Sequence, residues 1–269
     1  NITKFFNNQC NSKGKEEMNP VNKVLSLFGV RLSRVNKTIK QISNKEKEFR
    51  GKYEHYYKLA ENNKRGFKTI KEYRYQVGEH PISTKDLEFE FVAKYLYESK
   101  PVSILDIGSY RHFILGLLAH YNVTTVDIRG RKSILENENV VTCNAKALQF
   151  SDNSFDAVVS LECLPHLGLL RYGDDFDLDA DIKAFKEMIR VLKPGGLLVF
   201  STAITGGEPT IAFNARRNYS YEMIRDLCHG LDYVEEKFIN RRVASHCPLD
   251  EITTDPALFD YYIGGWRKK

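Results

Sequence analysis

Between residues 83 and 205 the chain alternates short apolar runs with stretches whose apolar residues recur every three or four positions. Ser83 and Asp86 stand at capping-box spacing before Leu87, Phe91, Val92, Tyr95 and Leu96, which predicts a helix of about four turns ended by Lys100-Pro101. After it, residues 103–107, 123–127, 139–142, 155–161 and 196–201 read as strands, with helices near 111–120 and 179–192. Strands that alternate with helices in this way predict a parallel sheet covered on both faces. Two later runs, 232–239 and 258–266, have the pattern of a hairpin that finishes such a sheet. No internal repeat is visible.

The first 80 residues have another character. Residues 1–20 are rich in Asn, Lys and Glu, and predict a poorly ordered start. From Val21 to Val35, Val24, Leu25, Phe28 and Leu32 recur at helical spacing beside Lys23, Arg31 and Arg34. The reading is a basic amphipathic helix, packed on the body or lying on a membrane surface. Residues 36–80 are polar, basic and rich in tyrosine (Tyr53, Tyr56, Tyr57, Tyr73, Tyr75), and partly helical by pattern. The expected organisation is thus a basic, partly helical extension over 1–80 and one larger domain over 81–269.

Charge sharpens that division. The net charge of +5 combines 18 basic against 8 acidic residues in 1–80 with 22 against 27 in the rest. A basic arm on a mildly acidic body suggests attachment to something anionic, or a solvated helical arm. At 269 residues the chain can bury a sizeable core. No run approaches the roughly 18 apolar residues that cross a bilayer, and no charged-then-apolar leader is read at its start. The five cysteines (Cys10, Cys143, Cys163, Cys228, Cys247) are scattered, with no CxxC pair, so neither a disulfide framework nor a zinc site is expected. Reduced thiols suit a bacterial-type cytoplasm, with peripheral contact at the inner membrane face through residues 21–35 as the variant.

The chemistry-bearing stretch is Ile104-Leu105-Asp106-Ile107-Gly108-Ser109-Tyr110, an apolar strand, then Gly, then a turn into a helix. A glycine there lets backbone approach a ligand, and ligands in open α/β sheets bind beyond the carboxyl ends of the strands. The next strand, Val123-Thr124-Thr125-Val126-Asp127, ends in a carboxylate that can accept from both hydroxyls of a ribose.

Here the sequence resembles the class I S-adenosylmethionine-dependent methyltransferases, and the likeness continues. Cys143 to Phe150 looks like the family's adenine-side loop, Ser154 to Ser160 like its fourth strand, and Arg190-Val191-Leu192-Lys193-Pro194-Gly195-Gly196 like the corner into its fifth. At that corner Pro194 is expected to stop the helix and the glycines to turn the chain. The resemblance spans about residues 83–205 and implies a doubly wound, Rossmann-like α/β sheet carrying a helical, basic N-terminal extension. It further implies that S-adenosylmethionine is the cofactor. Gly108 would approach its methionine part, Asp106 would reach the ammonium through a water, Asp127 would hold the ribose, and Ile128 and Ala145 would flank the adenine. Ser109, Asn144 and Ser160 complete the expected cofactor side. Two positions depart from the family pattern: Ser109, Tyr110, Arg111 and His112 replace further glycines after Gly108, and Asn144 stands where an adenine-contacting Asp is usual.

Residues 163–181 follow the fourth strand, where this fold places acceptor and catalytic groups. With Phe213 to Tyr219 they resemble a less characterised branch of methyltransferase-like proteins that also occurs in nematodes. Bacterial members of such branches accompany surface-polysaccharide biosynthesis, which implies a sugar hydroxyl as acceptor, an association rather than a physical argument. His166 is the candidate general base, with a structural role against the cofactor as the alternative. Arg171, Tyr172, Asn214 and Arg216 are the candidate substrate contacts; Arg171, Arg216 and Arg217 can clamp a phosphate or carboxylate, or pair with nearby aspartates to fix the loop. Asp174, Asp175, Asp177, Asp179 and Asp181 are read as helix caps and dipole partners before a helix at Ile182, and no metal is expected. The expected activity is O-methylation of a small-molecule or glycan-linked acceptor, anionic in one variant. The rivals are an RNA methyltransferase, for which the basic arm and its tyrosines speak, and a noncatalytic scaffold of the same fold. Against RNA, no Asn/Asp-Pro-Pro-aromatic motif follows the fourth strand.

Overall fold

The computed structural model describes residues 32–62, 67–76 and 80–269, with side chains from Asn44 onward. The chain falls into two compact units that divide between His80 and Pro81. The readings of a loose start over 1–20 and of an amphipathic helix over 21–35 lie outside the described residues, apart from the backbone of Leu32–Val35.

In the first unit, helix α1 (Leu32–Asn62) is followed by the extended segment 67–76, which folds back against it. The Tyr53 hydroxyl donates to the Glu72 carbonyl at 2.6 Å, Phe49 stacks on Tyr75 with ring centroids 4.9 Å apart, and Tyr53 meets Tyr73 edge-on. Lys71 pairs with Glu54 at 2.6 Å. Tyr53, Tyr73 and Tyr75 gather around Phe49, while Tyr56 is exposed.

The second unit begins with α2 (Thr84–Ser99), and both arms of its capping box are made: Ser83 N donates to Asp86 Oδ2 at 2.7 Å, and Asp86 N to Ser83 Oγ at 3.2 Å. Lys100, left-handed at φ 46°, ends it ahead of Pro101. Then come β1 (Ile104–Ile107), α3 (Arg111–Leu117), β2 (Val123–Asp127), β3 (Glu138–Thr142), β4 (Phe155–Leu161), a 3-10 turn at Leu164–His166, α4 (Ala180–Val191) and β5 (Leu192–Ile204). The chain closes with β6 (Thr210–Ala212), β7 (Arg216–Asn218), α5 (Tyr221–Leu227), β8 (Leu231–Asn240), β9 (Ser245–Cys247) and β10 (Asp260–Lys268).

The main sheet has the order β3-β2-β1-β4-β5-β10-β8-β9. Its first five strands are parallel. The two late runs do pair antiparallel, Tyr261 opposite Ile239, but β10 is inserted between β8 and β5 and is antiparallel to both. Buried on both faces, the central strands are almost wholly apolar, and successive side chains feed opposite cores. Ile104, Ala157 and Val159 face Phe91, Val92 and Leu96 of α2 and Ile114 of α3; Leu105, Val158 and Leu198 face Ala184, Phe185 and Met188 of α4. Apart from the alanines, each such side chain contributes about 1.5–3 kcal/mol on burial.

Three boundaries differ from the sequence reading. Helix α3 stops at Leu117 rather than 120, because residues 118–121 tighten into turns onto the Ile114, Gly116 and Leu117 carbonyls. Helix α4 stops at Val191, with Leu192 already extended at ψ 135°, so Pro194 acts inside the corner and not as the terminator. Strand β5 therefore starts at Leu192, opposite Phe155, and pairing resumes at Leu197 opposite Ala157 after a wide bulge that contains Gly195 at φ 74°.

Candidate active site

Strand order reverses between β1 and β4, and a cleft opens there at the carboxyl ends of the parallel strands, where ligands of open α/β sheets bind. Its floor comes from Ile107 and Gly108 after β1, Asp127, Ile128 and Arg129 after β2, and Cys143, Asn144 and Ala145 after β3; Glu162, Cys163, His166 and Tyr172 form the wall beyond β4.

Gly108 has φ 67°, and a Cβ built there would lie 2.7 Å from Cys163 Sγ, so the backbone is bare where the cleft is tightest. Burial pushes the Cys163 thiol up, to about 12, which suits packing and not a thiolate nucleophile. Behind Gly108, Asp106 is fully buried and neither carboxyl oxygen has a hydrogen-bond partner among the described residues. Burial pushes its carboxyl up, to about 7. An orphaned buried carboxyl beside a ligand cleft is satisfied by an ammonium or a water brought in with the ligand.

Asp127 closes β2 with its four acceptor directions filled. Oδ1 accepts from Arg129 N at 2.9 Å and Arg129 Nε at 3.1 Å; Oδ2 accepts from a terminal nitrogen of Arg129 at 3.0 Å and of Arg131 at 3.1 Å. Burial alone would raise this carboxyl, but Arg129 and Arg131 hold it below the usual carboxylate range. The Arg129 guanidinium also lies 4.5 Å from the centroid of Tyr172 and spans the cleft. Asn144 accepts from Lys146 N at 3.1 Å through Oδ1, which shapes the turn after β3.

His166 sits on the 3-10 turn after β4. Its Nδ1 is 2.6 Å from the Ala215 carbonyl, which also accepts from Arg171 at 2.9 Å. A carbonyl only accepts, so the 2.6 Å contact calls for a proton on Nδ1, whereas Arg171, 3.1 Å from the same nitrogen, only donates. Burial lowers the imidazole below its ordinary range; Arg171 and Arg216 add to that, while the Ala215 carbonyl and Glu162 oppose it. Tyr172 packs edge-on to the ring at 5.9 Å.

The remaining expected residues lie outside the cleft lining. Ser160 is fully buried and donates to the Ile107 carbonyl at 3.1 Å, and Ser109 accepts from Leu161 N at 3.0 Å; both tie β1 to β4 behind the cleft. Asn214 is exposed, and Arg216 donates from Nε to Asn218 at 3.0 Å. Arg217 is buried and staples the loop after β4, donating to the Leu167 and Leu178 carbonyls at 2.5 and 3.0 Å. The aspartates divide among structural duties: Asp174 accepts from Gly168 N, Asp177 pairs with Lys146 and Lys183, and Asp181 accepts from the Tyr219 hydroxyl at 2.6 Å. Asp179 occupies the N-cap of α4 but makes no side-chain capping bond, contrary to the capping role read for it.

Two cleft residues escaped the sequence reading. Arg129 stands two places after Asp127, and only tertiary structure puts its guanidinium across the cleft. Glu162, the first residue after β4, is left-handed at φ 55° and pairs with Lys85 at 2.6 Å. Lys85 also binds Glu88, whose burial beside Glu162 pushes its carboxyl up, to about 8.

Residues 105–200 match the family model described as a methyltransferase domain. A curated relative, the uncharacterized protein YafE of Escherichia coli K12, is 27% identical over 125 residues, 46% of this chain. The match takes in about half, 54%, of that protein's length. Among solved structures, a candidate sarcosine dimethylglycine methyltransferase from Galdieria sulphuraria superposes with a TM-score of 0.51 at 15% identity, covering 68% of this chain and 86% of that one. The [4+2]-cyclase SpnF gives 0.51 at 16%, covering 78% and 92%. At such identities the likeness is one of fold.

The strand order, the carboxyl-edge cleft and the match over residues 105–200 give this unit the Rossmann-like α/β fold of a methyltransferase domain. The cofactor that goes with the domain is S-adenosylmethionine, and the residues present suit it: an uncovered Gly108, an orphaned Asp106 and a carboxylate at the end of β2.

Proposed function

We propose that the chain methylates an oxygen of a small-molecule or glycan-linked acceptor, a sugar hydroxyl being the first choice, with His166 as the general base. The observation that supports this most is the place of His166 on the cleft wall, with Nδ1 2.6 Å from the Ala215 carbonyl, a contact that favours the tautomer with Nε2 unprotonated. Asp127 is the group to receive the ribose hydroxyls, Ile128 and Ala145 to flank the adenine, and Asp106 to sit beneath the methionine ammonium. Bound S-adenosylmethionine supplies an electrophilic methyl. The chain aligns a hydroxyl with that methyl and takes the hydroxyl proton at Nε2 of His166. In the first unit Tyr53, Tyr73 and Tyr75 are engaged around Phe49, which leaves fewer rings free to stack on bases and favours a small acceptor over RNA.

Calorimetry with S-adenosylhomocysteine tests the cofactor half of this reading. Wild type should bind, and Asp127→Ala should bind about 10-fold more weakly, the low end for a charged hydrogen bond because Arg129 must be displaced in wild type. Unchanged affinity in a folded variant would remove Asp127 from the site.

A further inference from the structure

Arg171 and Arg241 gather around Arg216; Arg171 and Arg216 act on His166, and none of the three has an acidic side-chain partner among the described residues. Arg171 reaches the Ala215 carbonyl and the imidazole, at 2.9 and 3.1 Å. Arg216, the next residue after Ala215, lies with its guanidinium 4.0 Å from the centroid of Phe259, and Arg241 lies 4.5 Å from the same ring. Among the described residues no carboxylate comes within ion-pair distance of any of the three side chains. The nearest acid by sequence and fold, Asp260, is engaged by the backbone N–H groups of Arg241 and Thr253.

This arrangement is costly without a ligand. Arg216 is half-buried; burial, then Arg241 and, more weakly, Arg171 lower its guanidinium, and Tyr261 opposes them. Like charges around one aromatic ring repel, and proteins keep such clusters where an anion neutralises them. Arg216 uses only Nε within the fold, which leaves both terminal nitrogens as a planar fork. Phe259 holds Arg216 and Arg241 in place by cation–π contact and offers no competing acceptor.

We propose that Arg171, Arg216 and Arg241 form an oxyanion subsite, so that the acceptor carries a carboxylate or a phosphate beside the hydroxyl that is methylated. The inference rests on reading the His166 side of the cleft as the acceptor side. The anion would sit against Arg171 and Arg216, which depress His166, and its negative charge would raise the imidazole's basicity as the hydroxyl arrives. Arg241, some 70 residues beyond the loop after β4, enters the site because β8 carries it to the Phe259 ring.

Inorganic phosphate and malonate are the probes, titrated at low ionic strength with chloride as the ionic control, into protein free of and saturated with S-adenosylhomocysteine. One of them should bind saturably, and the NMR titration of His166 should move to higher pH in its presence. Arg216→Gln and Arg241→Gln should each weaken that binding about tenfold or more and abolish the His166 shift. Arg267→Gln, at the far end of β10, should change neither. Arg241 is exposed, so its variant keeps the test decisive should Arg216→Gln fold poorly. Binding of neither probe, or binding that persists in the Arg216 and Arg241 variants, overturns the subsite. S-adenosylhomocysteine affinity, read in the same samples, is independent of the anion, so a failure of the cofactor reading is seen separately.

Discussion

The Arg129 guanidinium grips both carboxylate oxygens of Asp127, Nε at 3.1 Å from Oδ1 and a terminal nitrogen at 3.0 Å from Oδ2. With the Arg129 N–H and Arg131 added, the acceptor directions of Asp127 are full. A ribose bound at Asp127, as proposed above, would have to displace Arg129 from that carboxylate.

Arg129→Ala should therefore tighten S-adenosylhomocysteine binding. The Arg129 side chain is 56% exposed, so solvent screens the pair to about 0.2–1 kcal/mol, or roughly 1.5- to 5-fold in affinity. Calorimetry reads this directly. Weaker binding in the variant would mean that Arg129 holds Asp127 in place for the ribose and does not compete with it.

For His166→Ala the expectation is a fall in turnover of about 10² to 10⁴-fold with cofactor affinity nearly intact. Burial and the flanking arginines lower the folded imidazole, so wild-type turnover should hold down to a more acidic pH than an ordinary histidine of about 6.5 allows, then drop as Nε2 is protonated. The stability sign agrees. The unfolded histidine takes its proton first, so the unfolded state binds more protons below about 6.5 and stability falls as pH falls. A purely structural His166 predicts instead that affinity and melting temperature fall together while the pH–turnover curve keeps its shape.

Gly108→Ala tests the bare floor of the cleft. The new Cβ meets Cys163 Sγ at 2.7 Å and forces a side chain on a residue at φ 67°. The left-handed backbone costs about 1–2 kcal/mol and the overpacking about 1–3 kcal/mol more. Thermal melts should show both, and Cys163→Ala in the same chain should return only the packing part. A variant as stable as wild type would mean that the loop after β4 yields, and that Gly108 is free to be any small residue.

Much of the fold was legible because both of its signals are local. Short apolar runs for the strands and the 3.6 period along a helix placed β1 through β4 and α2 to within a residue or so, and the Ser83–Asp86 box is an interaction across one turn. The boundaries that moved were those decided by distant partners. Leu192 is extended because it pairs with Phe155, and α3 ends early because its last carbonyls are taken by turns. Pro194 was read as a terminator from its own chemistry, yet the strand had claimed the chain two residues before it.

The sequence by itself determined the parallel sheet, the glycine turn and the acidic end of β2, since each follows from residue type and spacing within one element. Tertiary structure alone decided who meets whom across the cleft. Arg129 lies over Asp127 and Tyr172, the Ala215 carbonyl meets His166 Nδ1 from 49 residues away, and Arg216 and Arg241 share the Phe259 ring. Long, charged side chains have many rotamers and no periodic signature, so their partners are chosen by the packing of elements far apart in the chain, and only the folded molecule brings those elements together.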